Sequence, residues 1–158
     1  MQEEVVVQMV LKNWNSQVSR MSKFFDSTDD EKLSNDVAPG RNSAKYLLGH
    51  LIAVNDNILP LLGIGERSYT HYDNVFISNP DKSGLDMPAL SKLREDWTLA
   101  NAALSKYFGQ LSDKDWFQRH TAVSEEDFAK DPSRNKLNII ISRTNHMAYH
   151  LGQLILIK

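Results

Sequence analysis

Apolar residues recur every three or four positions in four separate stretches of the chain, and this spacing predicts four amphipathic helices. The stretches cover approximately residues 3–25, 43–62, 86–111 and 135–158. No run of alternating apolar and polar residues lies between them, so a β-sheet is not expected. We therefore predict an all-α fold, a four-helix bundle that forms a single domain over the whole chain.

Polar side chains, prolines and glycines mark the predicted ends of these helices. Asn42 or Ser43 is suited to cap the second helix, and Gly63 to end it. Pro60 lies near the end of the same helix and should kink or shorten its last turn. Asp86 is predicted to cap the third helix in the same way.

The connections between the predicted helices are long. Residues 26–41, 64–86 and 117–134 are polar or contain glycine and proline, and none shows a helical period. Ser112–Asp115 resembles a capping box and predicts one short turn around Trp116. Connections of this length indicate a bundle whose topology need not be a simple up-and-down one.

Composition narrows the classes of function. The chain has 158 residues, 41% of them hydrophobic, and a formal charge of −2, so nucleic-acid binding is not expected. It contains no cysteine, which excludes disulfides and leaves nitrogen and oxygen atoms as metal ligands. No apolar run reaches the roughly 20 residues of a membrane span, and the acidic start does not resemble a signal peptide. A cytoplasmic location without membrane contact is expected.

The last predicted helix carries His146 and His150. Residues four apart lie on one face of a helix, so both imidazoles can reach one metal ion. A helical wheel places them in line with Arg143 and Gln153, on a different face from the main apolar stripe. That stripe is predicted to consist of Leu137, Ile140, Ile141, Thr144, Ala148, Leu151 and Ile155. Two other interpretations of the pair stay open, namely simple solvent exposure and a stacked pair bonded to polar neighbours.

A third ligand candidate, His50, lies in the second helix at the edge of its apolar stripe, next to Gly49. A buried imidazole needs partners for both ring nitrogens, and a metal ion can be one of them. If the second and fourth helices share a groove, three imidazoles converge and leave a coordination position open, as in catalytic zinc sites. His71 and His120 lie in predicted connections and are more typical of surface residues.

Four further side chains are candidates for contacts with a substrate or with the metal ligands: Tyr46, Asn57, Arg143 and Gln153. No general base is identified. Tyr149 points about 100° away from its histidine neighbour on the wheel, and the amide of Gln153 does not titrate. Three imidazole nitrogens suit Zn²⁺, Ni²⁺ and several other divalent ions.

Two segments make the chain resemble the DinB-like family, which includes the YfiT-type metal-dependent proteins. Residues 46–51 read Tyr-Leu-Leu-Gly-His-Leu, similar to the family's Leu-Leu-x-His-Leu context in the second helix. Residues 145–154 contain His-x-x-x-His-x-Gly-Gln, which is similar to the pattern of the family's last helix. The order and length of the predicted helices extend the resemblance to nearly the whole chain.

The resemblance implies a four-helix bundle with unusual connectivity that binds one divalent ion through three histidines and water. The corresponding positions here are His50, His146 and His150. Zn²⁺ or Ni²⁺ is the expected cofactor. Members of known activity include bacillithiol- or mycothiol-dependent transferases and a mycothiol-dependent isomerase. The family's tendency to pair, together with apolar Val5 and Val6 on the first helix, favours a homodimer.

Three hypotheses of function follow. The first is a metal-dependent enzyme that transfers a small-molecule thiol or hydrolyses its substrate. The second is a non-catalytic metal- or ligand-binding bundle, acting for example in a stress response. The third is a bundle that has lost its metal and serves in dimerisation. The expected partner is a small-molecule substrate, with a low-molecular-weight thiol as the leading candidate.

Overall fold

Residues 2–157 are described by a computed structural model, and every regular element in them is helical. The helices are α1 (Gln2–Ser27), α2 (Asp30–Leu33), α3 (Ala44–Asp56), α4 (Ile58–Leu62), α5 (Asp73–Phe76), α6 (Leu90–Phe108), α7 (Asp113–Trp116), α8 (Glu125–Lys130) and α9 (Lys136–Leu154). A 3₁₀ turn, Thr70–Tyr72, leads directly into α5. Two isolated β-bridges occur, but these residues form no strand, which confirms the predicted all-α class.

The four longest helices, with 26, 13, 19 and 19 residues, are α1, α3, α6 and α9. Helix α1 packs against α9 and α6, and α3 packs against α6 and α9, so the four enclose a common core. Large side chains from all of them are buried there, among them Trp14, Ile52, Leu93 and Ile140. The core therefore lies where the four predicted apolar stripes meet.

The second predicted helix has the expected ends but is divided in two. The Ser43 side chain accepts a hydrogen bond from the backbone N–H of Tyr46 and so caps α3, as predicted. Gly63 ends α4 in the left-handed region at φ 67°, where glycine is favoured. Between them α3 ends at Asp56, and α4 places Pro60 in its first turn, where a missing N–H is tolerated.

The prediction that Asp86 caps the third helix is wrong. Helix α6 begins at Leu90, after the N-cap residue Ala89, and ends at Phe108. Pro88 disfavours helical backbone at Met87, where the predicted helix would have begun, and Ala89 is extended at φ −60° and ψ 149°. Residues 86–89, predicted to start the helix, therefore lie outside it.

The long connections contain short helices that the sequence did not reveal. Helices α2, α5 and α8 have 4, 4 and 6 residues, and a helix this short spans too few turns to show an apolar period. The capping box before α7 is confirmed, with Ser112 and Asp115 bonding each other's backbone N–H. Helix α5 matters for function because it packs against α3 beside His50.

The buried face of α9 differs from the predicted stripe. It consists of Leu137, Ile140, Thr144, Met147, His150, Leu151 and Leu154. Ile141 and Ile155, placed in the stripe from the sequence, are 41% and 64% exposed. The buried positions other than His150 are alternately three and four residues apart, which is the spacing of helices packed in bundles. The prediction that both histidines lie on a different face is therefore wrong, because His150 belongs to the buried face and the half-buried His146 lies at its edge.

The surface of α1 carries several apolar side chains. Val5, Val6 and Met9 are 55%, 44% and 67% exposed. A homodimer that covers them stays a prediction. None of the helices formed by residues 2–157 combines the length and apolarity that a membrane crossing requires.

Candidate metal centre

Helix α3 carries His50 and helix α9 carries His146 and His150, and the fold brings together these three histidines although 96 residues separate His50 from His146. One ring nitrogen from each lies within 4.8 Å of those of the other two. His150 is buried, and the other two are half-buried. Within the described part of the chain this is the only such group of histidine or acidic side chains. The sequence prediction that these three residues converge agrees with their placement.

The orientation of His50 is set by the close packing of α5 on α3. Its Nδ1 lies 2.9 Å from the backbone carbonyl oxygen of Phe76, which can only accept a hydrogen bond. Nδ1 therefore carries the hydrogen, and Nε2 presents a lone pair. Gly49 permits this approach, because the ring of Phe76 occupies the space where a β-carbon would lie.

His150 is oriented by a residue of its own helix. Its Nδ1 donates to Oε1 of Gln153 at 2.7 Å, and the Gln153 amide donates to the Tyr149 hydroxyl at 3.2 Å. Nε2 of His150 consequently presents a lone pair too. Gln153, predicted as a substrate contact, thus lies where it fixes the ring of His150. A direct contact with substrate stays a prediction.

Three Nε2 atoms meet at the centre of the cluster. Nε2 of His146 lies 3.3 Å from Nε2 of His50 and 2.9 Å from Nε2 of His150. Only the His146 ring has a hydrogen available for these two contacts, and one N–H cannot satisfy both, so at least one of them lacks a well-formed hydrogen bond. Nδ1 of His146 is buried and has no hydrogen-bond partner among the described residues. The protein by itself therefore leaves the cluster incompletely satisfied.

A divalent cation fits this donor set. A zinc–imidazole bond is about 2.0–2.1 Å long, so two such nitrogens at 90–109° around one ion are about 2.9–3.4 Å apart. Two of the three Nε2 separations, 3.3 Å and 2.9 Å, lie in that range. A cation would accept all three lone pairs, and the hydrogen-bonded Nδ1 atoms would hold two rings in place. The cluster could therefore hold a metal ion.

The surroundings keep the three imidazoles uncharged. Burial lowers the pKa of His146 to about 4, assisted by its two histidine neighbours and by Arg143. Burial also lowers the pKa of His50 and His150, although hydrogen bonds to Phe76 and Gln153 partly oppose this. Neutral rings are the form that ligates metal.

These shifts predict that the metal-free protein loses stability in acid. The histidine pKa in the unfolded chain is about 6.5, so below this value the unfolded state binds more protons than the folded one. Stability should be greatest above pH 6.5 and fall as the pH decreases toward the folded pKa of His146, about 4. Urea unfolding of chelator-treated protein at several pH values measures this. In His146→Ala the decline between pH 6.5 and 5 should be shallower, and an identical decline would contradict the prediction.

Three other residues were predicted to contact a substrate or the metal ligands, and they differ in position relative to the cluster. The ring of Tyr46 stacks on His50, with centroids 6.4 Å apart, but its hydroxyl donates to the Asn79 carbonyl. Asn57 and Arg143 line a cavity about one helical turn from the cluster. Their contact with a substrate stays a prediction.

His71 and His120 do not join the cluster. His71 is exposed and lies against the ring of Tyr72. His120 is half-buried, which differs from the expected surface position. Sequence reasoning missed Phe76, because a backbone carbonyl carries no signal in the residue type.

Comparison with known families gives one match. The sequence model of the DinB superfamily matches residues 14–154. This span contains the three clustered histidines and reaches the last residue of α9. No curated protein matches the chain.

Proposed function

The chain belongs to the DinB superfamily, and from this membership we propose that it is a metal-dependent enzyme that transfers a small-molecule thiol to an electrophilic carbon. The observation that carries the proposal is the convergence of three Nε2 atoms at 2.9 and 3.3 Å. We propose His50, His146 and His150 as the ligands of one divalent ion, Zn²⁺ or Ni²⁺. Three protein ligands leave a coordination position for a substrate.

When bound, such an ion would hold a coordinated thiol as the thiolate at neutral pH. The chain has no cysteine, so the sulfur must belong to a small-molecule substrate. In the transfer, sulfur forms a bond to the electrophilic carbon, and the leaving group departs with the electron pair of the bond that breaks. The thiol proton passes to solvent.

The protein's own residues have positioning roles in this proposal. The Phe76 carbonyl and the Gln153 amide orient His50 and His150, and Tyr46 covers one face of the His50 ring. Burial of the cluster limits competing water. These contacts hold the three nitrogens in a fixed arrangement before a substrate arrives.

Thiol transfer agrees with the site better than hydrolysis does, which is the second candidate reaction. Metal-dependent hydrolysis commonly uses a carboxylate as general base, as the glutamate of HExxH metalloproteases shows. Among the described residues, the charged groups that perturb the three histidines are the histidines themselves and Arg143. A site without a carboxylate suits a nucleophile that coordination alone can deprotonate.

A conjugation assay tests the proposal. Zinc- or nickel-loaded protein, made without a histidine tag, is mixed with 1-chloro-2,4-dinitrobenzene and each of a panel of low-molecular-weight thiols. We expect at least one thiol to react about 100-fold or more faster than without protein, with the acceleration lost in His150→Ala and after chelation. Metal binding without turnover on any thiol or ester would instead support the non-catalytic binding hypothesis.

A further inference from the structure

A cavity of about 330 Å³ lies about one helical turn from the histidine cluster, and none of the three histidines lines it. Val54, which lines it, lies one helical turn after His50 on α3, and Arg143 lies one turn before His146 on α9. Ile77, the residue after Phe76, also lines it. The volume is at the lower end for small-molecule sites, so the cavity can hold the remainder of a small ligand whose reactive atom reaches the cluster.

Two arginines line this cavity, and only one of them is neutralised. Arg67 bonds both carboxylate oxygens of Asp73 at 2.6 Å and one oxygen of Asp56 at 3.2 Å. Asp56 also accepts from two backbone N–H groups, so both carboxylates are engaged. The two carboxylates exceed the charge of Arg67 by one, and Asp73 also lines the cavity, but both are bonded to Arg67 and neither forms an ion pair with Arg143.

Arg143 has no such partner. Its side chain is half-buried, its Nε is fully buried without a hydrogen bond, and it forms no ion pair within residues 2–157. Placing an unpaired charge away from water is costly, and a buried guanidinium normally has a bonded anion. A ligand that supplies one negative charge at this position would remove that cost.

The charge around the cluster has the same sign. Arg143 is close enough to lower the pKa of His50 and His146, and none of the carboxylates within residues 2–157 shifts the pKa of the three histidines. A divalent ion on neutral imidazoles would add further positive charge. An anionic ligand is therefore favoured over a neutral one of the same shape.

We propose that Arg143 binds a carboxylate of the substrate thiol, and that the enzyme selects small thiols that carry a carboxylate. The planar guanidinium matches a carboxylate with two parallel N–H donors, and a single arginine balances its single charge. This inference rests on the proposed function, because the thiol of the same molecule is the group delivered to the histidines. Arg143 is then a specificity residue that contacts substrate.

Binding measurements on cobalt-loaded protein test the inference, because the visible spectrum of the ion reports thiol coordination. Mercaptoacetate and 3-mercaptopropionate are compared with their neutral amides. In the wild type we expect each acid to bind about 10- to 100-fold more tightly than its amide. In Arg143→Gln this preference should disappear, with the amide Kd changed less than about twofold. The exposed Arg20→Gln removes one positive charge elsewhere and should keep the preference.

A second readout does not require metal or the thiol. Titrating metal-free wild-type protein with propionate should shift the NMR signal of the Arg143 Nε–H, which is assigned by its absence in Arg143→Gln. Three results would each overturn the inference. The wild type could bind acid and amide equally well, or the preference for the acid could persist in Arg143→Gln. The third is a propionate titration that produces no shift at Arg143. Failure to take up any divalent ion would instead overturn the proposed function, and the propionate titration would still decide on Arg143.

Discussion

Replacing His146 by alanine is expected to lower the affinity of the protein for Zn²⁺ or Ni²⁺ by about 100- to 1,000-fold. Four-ligand zinc sites bind with about 10–16 kcal/mol, or about 2.5–4 kcal/mol for each ligand, and 1.4 kcal/mol is a factor of ten. His146 is the central residue, since its Nε2 contacts those of both His50 and His150. Calorimetric titration of tag-free protein measures the loss, and elemental analysis should give about one equivalent for the wild type.

The same substitution should have little effect on the metal-free protein. His146 places its Nε2 against two other Nε2 atoms, and its buried Nδ1 has no partner in the described chain. Alanine removes these unfavourable contacts while it loses only half-buried packing. The increase in Tm that metal produces in the wild type should therefore be nearly absent in the variant, while the metal-free Tm values stay close.

His71→Ala is the matched control, because it removes an exposed histidine outside the cluster. It should bind metal as the wild type does. If wild-type protein took up no ion under any loading condition, or if both variants bound metal equally well, the histidine cluster would not be a metal centre. Exchange of Zn²⁺ for Ni²⁺ then shows which ion binds more tightly.

The residues of the candidate site could be predicted from spacing. Two histidines four apart on a helix lie on one face whichever way the helix packs, so His146 and His150 had to be neighbours. His50 was found because an imidazole in an apolar helix needs partners. These arguments depend on local geometry and residue chemistry, which the sequence contains.

The direction in which α9 packs could not be predicted in the same way. Its apolar residues extend around more than one face, with Ile141 and Ile155 on one side and Met147 and Leu154 on the other. Contacts with α1, α3 and α4 decide which side is buried, and these depend on the whole fold. The helical wheel therefore wrongly assigned Ile141 and Ile155 to the buried stripe. His146 and Arg143 are half-buried beside that stripe.

The hydrogen bonds and ion pairs around the site could not be predicted from the sequence either. The acceptor for His50 is the backbone carbonyl of Phe76, at the end of a four-residue helix that shows no period. Arg143 lacks an ion-pair partner within residues 2–157 partly because Asp56 and Asp73 bond Arg67 instead, and that pairing is decided by three-dimensional packing. The sequence nevertheless offered one indirect sign of this packing, the glycine beside His50.

Replacing that glycine, Gly49→Ala, is expected to destabilise the protein by about 1 kcal/mol and to weaken metal binding about 10- to 100-fold. A β-carbon at this position would lie 2.6 Å from Cδ1 of Phe76 and still closer to Cε1 and Cζ, well inside contact distance. Overpacking of this kind costs about 1–3 kcal/mol, of which the better helix propensity of alanine returns about 1 kcal/mol. Because the Phe76 carbonyl holds His50, its displacement should also disturb the ligand set.

Gly152→Ala is the control for helix propensity, since a β-carbon there meets nothing within 4 Å. It should stabilise α9 by up to about 1 kcal/mol and leave metal affinity unchanged. Phe76→Leu removes the ring that obstructs the new β-carbon but keeps the backbone carbonyl. The double variant Gly49→Ala with Phe76→Leu should therefore lose less stability than the two single losses added together, as urea unfolding measures. Additive losses, or a Gly49→Ala protein as stable as the wild type, would mean that this glycine does not set the distance between α3 and α5.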